Sequence, residues 1–263
     1  MKKPAWIWIA IFILVGCSQP NQSKRTAFLQ PSEIVDLGAL VTEDLPERMW
    51  GKGFLTQMNF DQGNTFDVIA WDFGAISGSN SYYRIFNHGG PHVDAPNHTG
   101  MGQGLDSYAI ESFIGPAKVI DVSGLQPGRN ISPAMLEGQD IRPGDVVLIY
   151  TGYLPPQNDS DIPDSITLSY DASEYLANIP VRAFGTDAFS VDSLTDESPV
   201  VAESELAKTV PAHHSFLTRG IPAYEQLMNV DQLIGKPNLF FVGVPLNISG
   251  GDGMIVRPVV FVY

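Results

Sequence analysis

Three histidines and one aspartate crowd into a single stretch, His88-Gly89-Gly90-Pro91-His92-Val93-Asp94-Ala95-Pro96-Asn97-His98. The whole chain of 263 residues has five histidines, and the other two, His213 and His214, are adjacent. Neutral imidazole together with carboxylate suits a zinc ion, and also manganese or iron. An aspartate has two oxygens, so Asp94 could serve one ion or bridge two. A divalent ion acidifies water and polarises a carbonyl, which is the chemistry of metal-assisted hydrolysis. A histidine outside the ligand set could carry protons, and spacing alone does not say which one.

The backbone that holds these side chains is constrained by its own composition. His88 and His92 have the i, i+4 spacing of a helical zinc motif, but Gly89-Gly90-Pro91 and Ala95-Pro96 would break a helix. In an extended segment alternate residues share a face, and His88, His92, Asp94 and His98 all fall on even positions. The stretch therefore reads as a rigid, kinked loop turning several ligands inward. Strands are expected at 66–71 and 81–86, the latter leading into the histidines, and at 117–122, 146–150, 181–184, 239–244 and within 254–263. Val146-Val147-Leu148-Ile149-Tyr150 has the unbroken apolar character of a buried strand. Ser169 or Asp171 should cap a helix running to Asn178, and a short helix is expected at 203–209. Residues 155–165 and the acidic part of 192–210 read as surface loops. Many strands and few long helices point to a sheet-rich α/β domain.

Bulk properties exclude several classes of function. The net charge of -14, from 29 acidic and 15 basic residues, argues against nucleic acid as a partner. A small-molecule substrate is compatible with that charge. No Gly-x-Ser-x-Gly nucleophile elbow and no phosphate-binding loop ending in Lys-Ser/Thr is present. Asp187, Ser190 and a histidine could be drawn as a serine triad, but such spacing arises by chance. Gly250-Gly251-Asp252-Gly253 reads as a tight turn. Trp50, Phe54, Trp71 and Phe189 are candidates to line a substrate pocket, with core packing an equal alternative for Trp50 and Phe54.

The N-terminus carries its own message. Lys2 and Lys3 precede an apolar run from Ala5 to Val15, too short for an ordinary membrane span. Leu14-Val15-Gly16-Cys17 resembles a bacterial lipobox, which implies a signal peptide at 1–16 and lipid attachment to Cys17. Residues 17–34 then form a tether. Ser18 after the cysteine resembles the outer-membrane signal of Gram-negative cells, so the implied location is the cell envelope, facing the periplasm. Cys17 is the only cysteine, so the mature domain has no internal disulfide and no thiolate ligand.

The histidine stretch resembles the His-x-Gly-Thr-His-x-Asp-x-Pro-x-His signature of the cyclase-like metal-dependent amidohydrolases, the family of bacterial kynurenine formamidases and isatin hydrolases. The likeness continues through Phe113–Asp121, Arg142–Val147, Gly185–Asp192, His213–Glu225, Phe241–Leu246 and Gly250–Gly253, and covers roughly residues 35–263. The resemblance implies a swivelling β/β/α fold, one or two zinc or manganese ions, and a homodimer or homotetramer. It implies that His88, His92 and Asp94 hold one ion, and that Asp94, His213 and Glu225 hold a second. His213 rather than His214 has the matching twelve-residue distance to Glu225. His98 resembles the proton-transfer residue. The implied activity is hydrolysis of a C–N bond in a small amide or cyclic amide, with a lipid-anchored metal- or solute-binding protein without catalysis as the alternative. Pro91 stands where the family signature has threonine, which removes an N–H and a hydroxyl at that point.

Overall fold

The structure, a computed structural model, describes residues 30–60, 63–72, 77–100, 102–155, 165–192 and 209–263; of Trp71 it describes the backbone alone. The signal segment, Cys17, most of the loop at 155–165 and all but the end of the helix expected at 203–209 lie outside the described residues.

In chain order the elements begin with β1 (Glu33–Asp36), α1 (Leu45–Trp50), α2 (Lys52–Gln57), β2 (Thr65–Asp72), β3 (Ser77–Arg84), β4 (His92–Asp94) and β5 (Ile114–Asp121). There follow β6 (Asn130–Ile131), α3 (Pro133–Leu136), β7 (Val146–Tyr150), β8 (Thr167–Leu168), α4 (Tyr170–Asn178) and β9 (Ala183–Thr186). The chain ends with α5 (Pro211–Leu217), β10 (Ala223–Glu225), β11 (Leu239–Val242), β12 (Gly253–Ile255) and β13 (Val259–Val262). The main sheet runs β1-β13-β11-β5-β7-β9-β10-β4-β12. Its centre, β5-β7-β9-β10, is parallel, and its flanks are antiparallel.

A parallel centre must be covered on both faces, and β7 shows how the sequence provides for this. Val147 and Ile149 pack on one side with Phe184, Leu176 of α4 and Phe216 of α5. Val146 and Leu148 pack on the other with Val93, Tyr224, Phe241 and Val260. The helix α4 starts as expected, with the Ser169 side chain accepting the Ala172 N–H. The strand expected at 66–71 is present within β2, whereas the one expected at 81–86 starts earlier and stops at Arg84 as β3; among the described residues these two pair only with each other.

Two findings differ from the sequence reading. The histidine stretch is not a loop throughout, because His92–Asp94 is a buried strand of the main sheet. Its neighbours β10 and β12 are distant in sequence, so nothing local announces the pairing. His213 sits in a helix, α5, whose start at Pro211 uses a residue that needs no N–H in the first turn.

The short helices α1 and α2 back the histidine stretch. Trp50 packs against Phe54, Phe60, Phe86 and Phe189 at ring-centroid distances of 5.9, 6.3, 5.2 and 4.9 Å. Its indole Nε1–H donates to the His88 carbonyl at 3.0 Å. Trp50→Phe removes that bond and also leaves the space of the second indole ring within the cluster, so the urea midpoint should fall by the equivalent of more than about 1 kcal/mol. An unchanged midpoint would show that the bond contributes nothing to holding the segment.

Candidate metal centre

The sheet register assembles the core of the site. His92 and Asp94 are two apart on β4 and so share a face, while Val93 points into the apolar core. Glu225 of β10 lies directly opposite His92. On the other side of β4, Gly253 lies opposite Asp94. A Cβ at Gly253 would come within 2.5 Å of His88 Cε1 and 2.9 Å of the Val93 carbonyl, so glycine here makes room for the His88 ring. His213 enters from α5. Asp192 accepts the backbone N–H groups of Ala212 and His213 at 2.7 and 3.1 Å, which caps the free end of that helix. The same carboxylate bonds His213 Nδ1 at 2.6 Å.

The donor atoms converge. His88 Nδ1 is 3.0 Å and His92 Nε2 3.3 Å from Asp94 Oδ1, whereas His213 Nε2 is 3.4 Å from Asp94 Oδ2. Glu225 reaches both halves, with Oε2 at 3.5 Å from His92 Nε2 and Oε1 at 3.3 Å from His213 Nε2. His88 Nδ1, both Asp94 oxygens and His213 Nε2 are buried without a hydrogen-bond partner among the described residues. Two ligands each about 2.0–2.1 Å from one ion at the tetrahedral angle stand about 3.3 Å apart. The separations and the orphaned atoms therefore fit a divalent cation, and the nitrogen and oxygen donor set suits zinc or manganese chemistry. His92, Asp94 and Glu225 form one group able to hold an ion, and His88, Asp94 and His98 another.

The orientation of two imidazoles follows from their outer partners. His92 Nδ1 faces the Gly90 carbonyl at 2.8 Å and His213 Nδ1 faces the Asp192 carboxylate. These oxygens only accept, so in the neutral ring each Nδ1 carries the hydrogen and each Nε2 turns its lone pair to the centre. His88 is held differently, through Nε2, by Asp252 Oδ2 at 3.0 Å.

Electrostatics set His98 apart. Burial disfavours charge on His92, but Asp94 and Glu225 outweigh it and push its pKa up to about 10. His213 is likewise raised against burial by Glu225, Asp192 and Asp94, and His88 is raised against burial by Asp252 and Asp94. Burial would raise Asp94 and Glu225, yet the surrounding histidines hold both low. His98 moves the other way. Withdrawal from water lowers its pKa, helped by His88 and His213. It sits in the short 3-10 turn Pro96–Thr99, with part of its surface open to solvent. Its ring lies 4.3 Å from that of His88 and 5.4 Å from that of His213.

The remaining candidates fall into place around this centre. Trp50, Phe54 and Phe189 join one aromatic cluster behind His88, where Phe54 and Phe189 are buried. The Trp71 side chain lies outside the described residues. His214 is the neighbour of His213 on α5 and lies near Glu174, whose carboxyl is held low against burial chiefly by Arg219. Asp187 makes no triad, since its oxygens accept the N–H groups of Thr151, Gly152 and Tyr153. Pro91 uses its carbonyl to accept the Val256 N–H at 2.9 Å. Asp192 and Asp252 received no role from sequence reasoning. Their only signal was membership of the Gly185–Asp192 and Gly250–Gly253 segments.

The chain is 35% identical over 180 residues to the kynurenine formamidase of Salinibacter ruber, covering 67% of this chain and 76% of that protein. It is 31% identical over 182 residues to the Maricaulis maris kynurenine formamidase, covering 68% and 78%. An isatin hydrolase bound to the product analogue thioisatinate superposes with a TM-score of 0.70 at 20% identity, covering 93% of this chain and 99% of that one. Isatin hydrolase A from Ralstonia solanacearum gives 0.68 at 21% identity, covering 94% and 99%. These structural likenesses establish the sheet-rich α/β fold. Residues 24–193 match the profile of the Cyclase family, and the chain belongs to that family.

Proposed function

We propose that this protein is a metal-dependent hydrolase that cleaves the C–N bond of a small, non-peptide amide or cyclic amide. The observation that carries the proposal is the convergence of orphaned donor atoms on one buried centre in a chain whose curated relatives are kynurenine formamidases. In this reading His88, His92 and Asp94 hold one ion, and Asp94, His213 and Glu225 hold a second. The split of the two Asp94 oxygens between His88/His92 and His213 supports a bridging carboxylate. A divalent ion bound there, zinc or manganese, supplies a Lewis acid for the amide carbonyl and lowers the pKa of water.

The chain's own residues supply the rest. His98 accepts the proton of the attacking water and returns it to the departing nitrogen. Its lowered pKa keeps the imidazole neutral near pH 7, as a base must be, and its solvent-facing edge allows the proton to be exchanged. Trp50, Phe54 and Phe189 fix the wall behind His88, next to where an aryl group would lie. An N-formylated aryl amine would lose formate, and an isatin-like lactam would open.

The proposal extends to setting. The basic, apolar and lipobox-like run through Cys17 supports a lipid anchor in the bacterial cell envelope. The β2–β3 hairpin exposes Val68, Ile69, Tyr82 and Tyr83, and a lone two-stranded hairpin is marginal in water, which supports a homodimer or homotetramer. Mass spectrometry of the membrane-extracted protein should show a diacylated or triacylated Cys17, and sedimentation should show two or four copies. An unmodified Cys17 and a monomer would contradict these two extensions.

His98→Ala should keep its metal and lose about 10²- to 10⁴-fold in kcat against a formanilide or lactam substrate. Asp94→Ala should lose the metal itself. Near-normal turnover in His98→Ala would remove it from proton transfer, and full metal content in Asp94→Ala would remove Asp94 from the ligands.

A further inference from the structure

The three histidines of the buried centre are not held alike. His92 and His213 are pinned through Nδ1 and present Nε2, whereas His88 is pinned through Nε2 and presents Nδ1. The group that reverses His88 is Asp252, in the Gly250–Gly253 turn that leads into β12. Its Oδ2 lies 3.0 Å from His88 Nε2. Its Oδ1 accepts from Asn87 Nδ2 at 2.9 Å, and the same amide reaches the Gly253 carbonyl at 3.2 Å. The Asp252 main-chain carbonyl accepts the Ala95 N–H at 2.9 Å, just past β4. The carboxylate is thus fixed at both its side chain and its backbone. It is also about half exposed, with 48% of its side-chain surface open, whereas His88 beside it is buried.

We propose that Asp252 is a positioning residue that imposes the Nδ1-donating tautomer on His88, so that the centre has a mixed donor set of one Nδ1 and two Nε2 nitrogens. The inference rests on the metal-centre reading above. The physical reason is the donor count. Asp252 meets two donors, His88 Nε2–H and Asn87 Nδ2–H, with two acceptor oxygens. His88 lies on the Asn87-His88-Gly89-Gly90 approach rather than in the sheet, so it has no strand register to orient it. Its inward nitrogen, Nδ1, is buried 3.0 Å from Asp94 Oδ1, while the Asp252 contact holds Nε2 on the outer side. The amide introduced by Asp252→Asn has one acceptor and one donor group. It must turn its NH₂ toward either His88 or Asn87, so one donor faces another. Exchanging the two side chains, in the double variant Asn87→Asp/Asp252→Asn, restores the match at His88 and between the two side chains, at the cost of the Gly253 contact. The amide oxygen now at position 252 accepts from His88, and its NH₂ donates to the carboxylate now at position 87.

The test uses the full-length zinc-loaded protein. Long-range ¹H–¹⁵N NMR of the histidine rings should show His88 bound through Nδ1 with a hydrogen on Nε2, and His92 and His213 with the reverse pattern. Chelator competition should show a zinc affinity about 10- to 100-fold weaker in Asp252→Asn. The double variant Asn87→Asp/Asp252→Asn should recover much of that loss. Because the double variant and the parent have the same charge, the NMR separates a tautomer role from one through net charge: only the former changes which His88 nitrogen carries the hydrogen in Asp252→Asn, and a role limited to folding would instead lower that variant's metal-free unfolding midpoint and leave the ring pattern unchanged. Zinc affinity unchanged in Asp252→Asn, no recovery in the double variant, or His88 bound through Nε2 would overturn the inference. A parent protein that binds zinc with this ring pattern yet hydrolyses no amide would contradict the proposed function and leave the Asp252 assignment standing. Failure of the parent to bind zinc would overturn both.

Discussion

The central constraint is the burial of Asp94. Its carboxylate has no exposed surface, and withdrawing such a charge from water costs several kcal/mol unless opposite charge and directed contacts compensate. The surroundings meet that demand from separate parts of the chain. His92 comes from the same strand, His213 from α5, and His88 from the approach to β4. Glu225 adds a second buried negative charge rather than relieving the first. The two carboxylates therefore need positive charge beside them, from protonated imidazoles or a bound metal. A metal displaces those protons, so occupancy and stability are one equilibrium.

The fold serves this centre through register and through outer hydrogen bonds. A one-residue slip of β4 against β10 would turn His92 and Asp94 into the apolar core and Val93 into the site. Tyr224 guards against the slip from the opposite face. It is fully buried, and its hydroxyl donates to the Gly243 carbonyl at 2.8 Å. The imidazoles are then oriented one by one, by the Gly90 carbonyl, Asp192 and Asp252. Asp192 shows the economy of the arrangement, because one carboxylate caps α5 and orients the histidine that the helix carries. The orientation of His213 and the start of its helix depend on the same carboxylate.

Much of this was legible in the chain, and the parts that were not share a cause. Residue type and density marked His88–His98, since a supply of five histidines concentrated in two places is a chemical signal in itself. The apolar run at 146–150 and Ser169 before α4 were legible because their determinants are local. The strand within the histidine stretch was not, because glycine and proline on either side of His92–Asp94 read as loop and the partners lie over 100 residues away. Glu225 carried no local mark and entered only through resemblance. Asp252 and Asp192 look like turn and loop acids, and only three-dimensional proximity reveals which nitrogens they hold. Trp50 and Phe189 were legible as aromatic, but the choice between packing behind the site and lining it was not, because both use the same side chains.

The most direct measurement is anomalous diffraction at the metal edge from crystals of protein that is active in solution. One or two peaks are expected within about 2.0–2.3 Å of His88 Nδ1, His92 Nε2, Asp94, His213 Nε2 and Glu225. At least one peak should touch Asp94, and none should be centred on His214. Crystals of active protein with no metal among these residues, or with metal bound elsewhere and this cluster bridged only by hydrogen bonds, would contradict a metal centre built on Asp94.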